Sequence, residues 1–436
     1  VASQARASET PPAGPVPDAH RWYALALLAT AYVCHSIDRQ VIAVVIEPIK
    51  REFQVSDSGM GVLGGLAYTT AFALACLPMG WLIDRVRRRT LFSIILTIWS
   101  GLTVLCGFAG HYMTLLLMRM GVGAAEAGAQ PLCLSLISDS FPVRERSTAI
   151  GLFYLSAAVG VASSFLIGGV VAAHFGWRAA FFVAGLPGIA VALLIILTLR
   201  EPPRGRFDEQ AHHGASTVRE VLRHVRHTPA LIHLGIAMAL TSLTVTALWV
   251  WATSLLIRVH GLPLGQAGVV VAAGAACSAI GSVLCGRIAD RLVTRSRRRL
   301  ALVPLVTSLL CVPFGIGFAY APTLPVALAC LFCTGVAMGG YLAPGYSMAM
   351  GLVSPGMRGI VAAAVQLVIN LLGSGLGPVV VGLFSDAIGG EYSLRPALAL
   401  TMLFNIWAAF HFWQAFRHGP TEGGAESGAR GAAVSH

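Results

Sequence analysis

Asp38-Arg39 lies inside an apolar stretch, Trp22 to Ile46, and Arg119 and Glu126 lie inside a second one, Tyr112 to Ile137. Each stretch is long enough to cross a bilayer, which takes about 20 residues. Ionisable side chains at such depth are expensive, so they are kept where they face a cavity or one another. Each stretch combines an acid with a base, which is what a proton-coupled carrier of a charged or zwitterionic solute needs. His35 lies one turn before Arg39 and near Asp38, where it relays a proton or serves as a packing histidine. Arg119, Glu126 and Gln130 share a helical face, because seven residues are almost two turns. Asp38, Glu126 and His35 are therefore the proton-coupling candidates, with Arg39, Arg119 and Gln130 set to hold substrate. Two competing readings stay open: Arg119 only holds Asp38 or a helix end, and Asp38 and Arg39 only neutralise each other. In the empty carrier, Arg39 is expected to pair with Asp38 or Glu126.

The elements that position these groups are membrane helices. Hydrophobic residues make up 56% of the chain, charged residues 11%, and the mean hydropathy is +0.75, far from the balance of a soluble domain. Apolar runs predict twelve spans, roughly 22–46, 59–83, 91–109, 112–137, 147–173, 177–199, 230–257, 265–289, 300–319, 324–350, 359–385 and 396–416. The fold class is an all-α membrane protein. The formal charge of +11 does not point to nucleic acid. With the N-terminus inside, 22 of the 30 Lys and Arg fall in cytoplasmic segments, the positive-inside pattern, which predicts a multi-pass protein of the plasma (inner) membrane with both termini cytoplasmic. The basic excess then meets anionic headgroups. Residues 1–20, rich in proline, read as a disordered tail, and the first apolar run is too long for a signal-peptide core. The nine cysteines lie within spans, and Cys330-x-x-Cys333 reads as packing. His212-His213 has no carboxylate or thiol company, so no metal or other cofactor is expected. No catalytic constellation faces water in any loop, which speaks against an enzyme.

The longest polar interruption, 200–229, splits the spans six and six, giving halves at 21–199 and 230–416 and a tail at 417–436. Val218, Val221, Leu222 and Val225 recur there at helical spacing between arginines, predicting an amphipathic helix on the membrane surface. The halves share a signature. Gly80-Trp-Leu-Ile-Asp84-Arg85-Val-Arg-Arg88-Arg89 follows span two, and Gly286-Arg-Ile-Ala-Asp290-Arg291 follows span eight, 206 residues later. The glycine allows close helix approach. The aspartate can accept from a helix N-terminus of the opposite half, and the arginines hold the loop at the anionic surface. With Arg146 and Arg358, these residues form the predicted gate. The signature resembles that of the major facilitator superfamily over about residues 20–416. The resemblance implies twelve transmembrane helices in two pseudo-symmetric six-helix halves and transport by alternating access. Arg87 replaces the family's usual glycine. Helix 5 carries Gly151, Gly160, Gly168 and Gly169 but no Gly-Pro pair like that of drug antiporters.

Within that superfamily the N-terminal half is similar to the Spinster family in a bacterial form. The similarity rests on Ser36-Ile-Asp38-Arg39-Gln40, Leu63-Gly64-Gly65-Leu66, Arg119-Met-Gly121-Val-Gly123-Ala-Ala-Glu126-Ala, and Ile137-Ser-Asp139-x-Phe141-Pro142-x-x-x-Arg146. It implies sphingosine phosphates or lysophospholipids as substrates. The residues point the same way independently. Spans of the C-terminal half hold no acid before the helix ends, only weakly polar and aromatic groups: Thr246, Trp249, Tyr341, Gln366 and Asn370, with Tyr68 on helix 2 of the other half. A cavity charged on one wall and apolar-aromatic on the other suits an amphiphile, headgroup toward Arg39 and Glu126. The expected partners are a lipid-like substrate, protons and membrane lipids, with the carrier a monomer. The alternative is a proton-coupled carrier of small organic anions or drugs.

Overall fold

The computed structural model describes residues 18–204, 217–294 and 296–419. The tail at 1–17, the stretch 205–216 with His212 and His213, and the tail from 420 onward lie outside them. Among the described residues twelve long helices run antiparallel in chain order. They are α1 (Asp18–Phe53), α2 (Asp57–Arg85), α3 (Arg88–Cys106), α4 (Tyr112–Glu126 continued by Ala129–Ser140), α5 (Val143–Phe175) and α6 (Trp177–Thr198). A second set comprises α7 (Pro229–His260), α8 (Leu264–Val293), α9 (Arg297–Tyr320), α10 (Leu324–Gly351), α11 (Arg358–Ile388) and α12 (Leu394–His418). Ten of these are long and apolar enough to cross a membrane on length and composition alone. The remaining two, α1 and α4, bear the ionisable residues, and α4 is also interrupted by a turn at Ala127–Gly128.

A short linker helix, Val218–Arg226, precedes α7. Thr217 caps it and Glu220 reaches back to the cap backbone, a reciprocal pair that fixes its start. Val221 is buried and Val225 packs against the α7–α12 core, while Val218 and Leu222 stay exposed.

Three apolar cores show how the halves meet. One lies within α1–α6 and gathers Leu28, Phe92, Trp99, Leu132 and Phe153. A second lies within α7–α12 and the linker helix, around Leu234, Met238, Met348 and Phe412. The third joins both halves, with Ile42, Ile46 and Phe165 meeting Leu248, Trp251, Val271 and Val381. These shared residues lie toward the face opposite the one where α1 begins and α12 ends. We call the latter the terminal face.

Small residues let the helices meet at that opposite face. A methyl on Gly61 of α2 would strike the Pro378 carbonyl of α11, and one on Gly169 of α5 would lie 3.0 Å from the Gly268 Cα of α8. Toward the terminal face the pattern reverses. A Cβ added to Gly80 or Gly286 would meet no atom within 4 Å, and Leu74, Leu77 and Trp81 on α2 are exposed. The two bundles are therefore sealed at the opposite face and parted at the terminal face.

Candidate functional site

Where the two bundles converge, a cavity of about 250 Å³ is lined by His35 and Arg39 of α1, Tyr68 and Thr69 of α2, and Thr246 and Trp249 of α7. Both α2 and α11 carry a π-helical segment beside it, Val62–Leu66 and Ile369–Gly375. Such widened turns are rare and cluster at functional sites. Asn370 is the second residue of the latter segment.

Arg39 presents its guanidinium across the cavity. Its Nη2 donates to the Asn370 Oδ1 at 3.1 Å, and its Cζ lies 5.3 Å from the Tyr68 ring centroid. The expected pairing with Asp38 or Glu126 is absent among the described residues. The reason is direction: neighbouring side chains on a helix diverge by about 100°. Asp38 accordingly points into the bundle, completely buried beside Thr103 of α3, while Arg39 faces the other half.

Arg119 is 1% exposed and donates to the Asp38 carbonyl at 2.9 Å and the Arg39 carbonyl at 3.3 Å. Its Cζ sits 5.6 Å from the Tyr68 centroid. Glu126 is as deeply buried. Its Oε2 accepts the Tyr68 hydroxyl and lies 3.1 Å from the His35 Nδ1. Its Oε1 has no hydrogen-bond partner among the described residues. Tyr68 thus touches both sets of charges, with its hydroxyl on the acid and its ring against both guanidiniums.

Beyond the turn at Ala127–Gly128, Gln130 donates to the Tyr154 hydroxyl of α5 at 2.9 Å. On the facing wall the Tyr346 hydroxyl donates to the Gln366 Oε1, and the Asn370 Nδ2 donates to the Gln366 carbonyl at 3.1 Å. Tyr341 is buried near Ser242, and Trp249 is buried with its ring against Gly274. These groups make a neutral polar band on the terminal side of Arg39.

The signature loops sit apart. Asp84, Asp290, Arg291 and Arg358 are exposed, Arg358 donates to the Met350 carbonyl, and Arg85 folds over its own Trp81 at 4.3 Å. Arg146 at the start of α5 is partly buried and has partners. Arg88 does not reach toward the other half. It is buried inside its own, donating to Asp139, to the Ser135 Oγ at 2.8 Å and to the Pro202 carbonyl at 2.8 Å.

The residues that shape the α2–α3 loop come from the start of the linker. Glu201 accepts the Arg88 N–H at 2.9 Å, capping α3, while Arg204 donates to the carbonyls of Ile83, Asp84 and Val86 at the end of α2. Sequence reasoning read Glu201-Pro-Pro-Arg204 only as linker.

It also missed the seal on the opposite face. Arg258 at the end of α7 forks onto Asp57 of α2 with two bonds of 2.8 Å and reaches Glu47 of α1 at 2.7–2.8 Å. Lys50 and the Ser385 hydroxyl complete the Asp57 shell. Among the described residues, the hydrogen bonds between the halves gather at Arg39 and in this seal. Charges at the ends of otherwise apolar spans, Glu47, Asp57 and Arg258, were the available signal.

The arrangement parallels known transporters. The chain is 28% identical over 408 residues to an MFS-type efflux pump of Mycolicibacterium smegmatis, covering 90% of this chain and 92% of that one. It is 24% identical to the sphingosine-1-phosphate transporter SPNS2 of Danio rerio, over 85% of this chain and 77% of that one. The crystal structure of a bacterial homologue of the human lysosomal transporter Spinster, inward-facing and unoccupied, superposes with a TM-score of 0.87. That structure is 29% identical, and the match covers 93% of this chain and 98% of that chain. A model of the Major Facilitator Superfamily matches residues 28–378. With its twelve helices, its paired loops and its cleft open at one face, the chain belongs to the major facilitator superfamily and is a membrane transporter related to Spinster, not an enzyme.

Proposed function

We propose that this transporter moves an amphiphilic lipid, a lysophospholipid or sphingoid phosphate, by alternating access coupled to protons. One observation carries the reading: Arg39 faces the cavity from a membrane-depth position, and its side-chain hydrogen bond goes to a neutral amide. A cation so placed is ready for an anionic headgroup, which would displace Asn370 and form a charge-assisted bond. The cavity is smaller than the roughly 300–1,000 Å³ that encloses a whole drug-sized ligand. It suits a headgroup whose chain runs along the cleft past Trp249 and α11.

Glu126 is the coupling acid in this reading, with Asp38 next in line and His35 as the relay. Tyr68 links acid and anion site, so protonating Glu126 would change the field at Arg39 through one shared side chain. The terminal face is the cytoplasmic one by the positive-inside pattern, which makes the present state inward-facing. The halves 21–199 and 230–416 would then rock as units of a monomer in the plasma membrane.

Transport of labelled lysolipids into proteoliposomes, with and without an imposed pH gradient, tests the reading. Uptake should rise with the gradient and fall to background in Arg39→Ala. Wild-type uptake of phosphorylated lysolipid by Arg39→Ala would remove the headgroup assignment. The size of the cavity also accommodates a small organic anion. A chain-length series separates the two, because a lipid carrier prefers long chains.

A further inference from the structure

We infer that the headgroup taken by this site is purely anionic, a glycerol-based monoacyl phosphate with no ammonium, in preference to a sphingoid phosphate or an ethanolamine lysolipid. The inference rests on the lipid reading above and narrows it. It comes from what lines the cavity and what does not.

Two guanidiniums, Arg39 and Arg119, border the cavity, and no carboxylate does among the described residues. The acids nearest to it are buried behind the cavity wall and do not line it. Asp38 is 0% exposed and Glu126 is 1% exposed, with one Glu126 oxygen taken by Tyr68 and His35. The acids of the seal, Glu47 and Asp57, are engaged by Arg258 at the opposite face.

An ammonium two carbons from a phosphate ester cannot avoid this field. With the phosphate on Arg39, the ammonium lies within several ångströms of the same guanidinium. Like charges at about 6 Å repel appreciably even at an effective dielectric near 20. The Tyr68 ring does not supply the missing partner, because it already carries both guanidiniums at 5.3 and 5.6 Å.

The neutral band beyond Arg39 fits the other half of the argument. Gln130–Tyr154 on one wall and Tyr346–Gln366 on the other offer hydroxyls and amides at the level where a glycerol hydroxyl and ester would lie. Such groups satisfy a neutral polar backbone without demanding charge.

The test uses the full chain in proteoliposomes with three labelled lipids: lysophosphatidic acid, sphingosine phosphate and lysophosphatidylethanolamine of matched chain length. Lysophosphatidic acid should be carried with a kcat/KM on the order of tenfold or more above either amine-bearing lipid. Gln366→Glu, which keeps an acceptor for Tyr346, should bring that ratio closer to one by adding a carboxylate to the band. Equal handling of the three lipids, or preference for an amine, overturns the inference and leaves the lipid reading standing. An unchanged ratio in Gln366→Glu also counts against it. Failure to carry any of the three overturns the lipid reading itself and this inference with it.

Discussion

Asp386, near the end of α11, accepts the backbone N–H groups of Asp57 at 3.0 Å and Ser58 at 2.9 Å, and so caps α2 of the opposite half. Ser56 caps the same helix from its own chain segment, through the Gly59 N–H. The N-terminus of α2 therefore has a permanent local cap and a conditional one, present only while this face is closed. Removing a cap costs about 0.5–2 kcal/mol. Asp386→Ala should raise the population open at the opposite face by roughly 2- to 30-fold. Distances between spin labels across that face report the shift, and an unaltered distribution would discount the cap.

Asp84 should do the mirror-image work. It is exposed here, with the cleft open beside Gly80. When the terminal face closes, its carboxylate comes within reach of a helix N-terminus of the other half, a contact of roughly 0.5–2 kcal/mol. Asp84→Asn is expected to favour the state described here, with the terminal face open. Label distances across that face, under conditions that populate both states, decide the matter.

Glu126→Gln mimics the protonated acid. It should bind substrate and still exchange it, while uptake loses its response to a pH gradient. Tyr68→Phe keeps the ring against Arg39 and Arg119 but removes the hydroxyl from Glu126. That variant should retain binding and weaken the gradient response. Gradient-driven accumulation by Glu126→Gln would transfer the coupling role to Asp38.

The Glu201 cap on α3 predicts a graded pair of effects. Arg88→Ala removes the buried guanidinium that binds Asp139, Ser135 and Pro202, a loss of about 3–5 kcal/mol, and should lower the thermal midpoint in detergent markedly. Glu201→Gln retains an acceptor for the α3 N-terminus and should cost less, about 1 kcal/mol. Thermal unfolding of the two variants side by side checks the order.

Much of this architecture is legible in the chain. The spans of α1 and α4 are legible because their apolar runs stay long despite Asp38, Arg39, Arg119 and Glu126, and the split into halves follows from the polar stretch 200–229, with the repeat of Gly80 and Asp84 at Gly286 and Asp290 in support. The partners of these charges were not legible. Arg39 meets Asn370 across 331 residues, and nothing local to either residue marks the pairing. The turn at Ala127–Gly128 escaped because its residues are compatible with a continuous helix. The seal around Arg258 stayed hidden for a related reason: charges near span ends are the normal state of membrane proteins, and only three-dimensional proximity distinguishes a lock from a loop.

The core shared by the two bundles sets a thermal signature for the whole cycle. Opening the opposite face must peel Ile42, Ile46 and Phe165 away from Leu248, Trp251 and Val271 and bring water between them. Hydration of apolar surface carries a positive heat-capacity change, while closing the terminal face buries a different apolar surface. Unless the two areas match, the balance between states curves with temperature, and the carrier's resting orientation shifts with warmth.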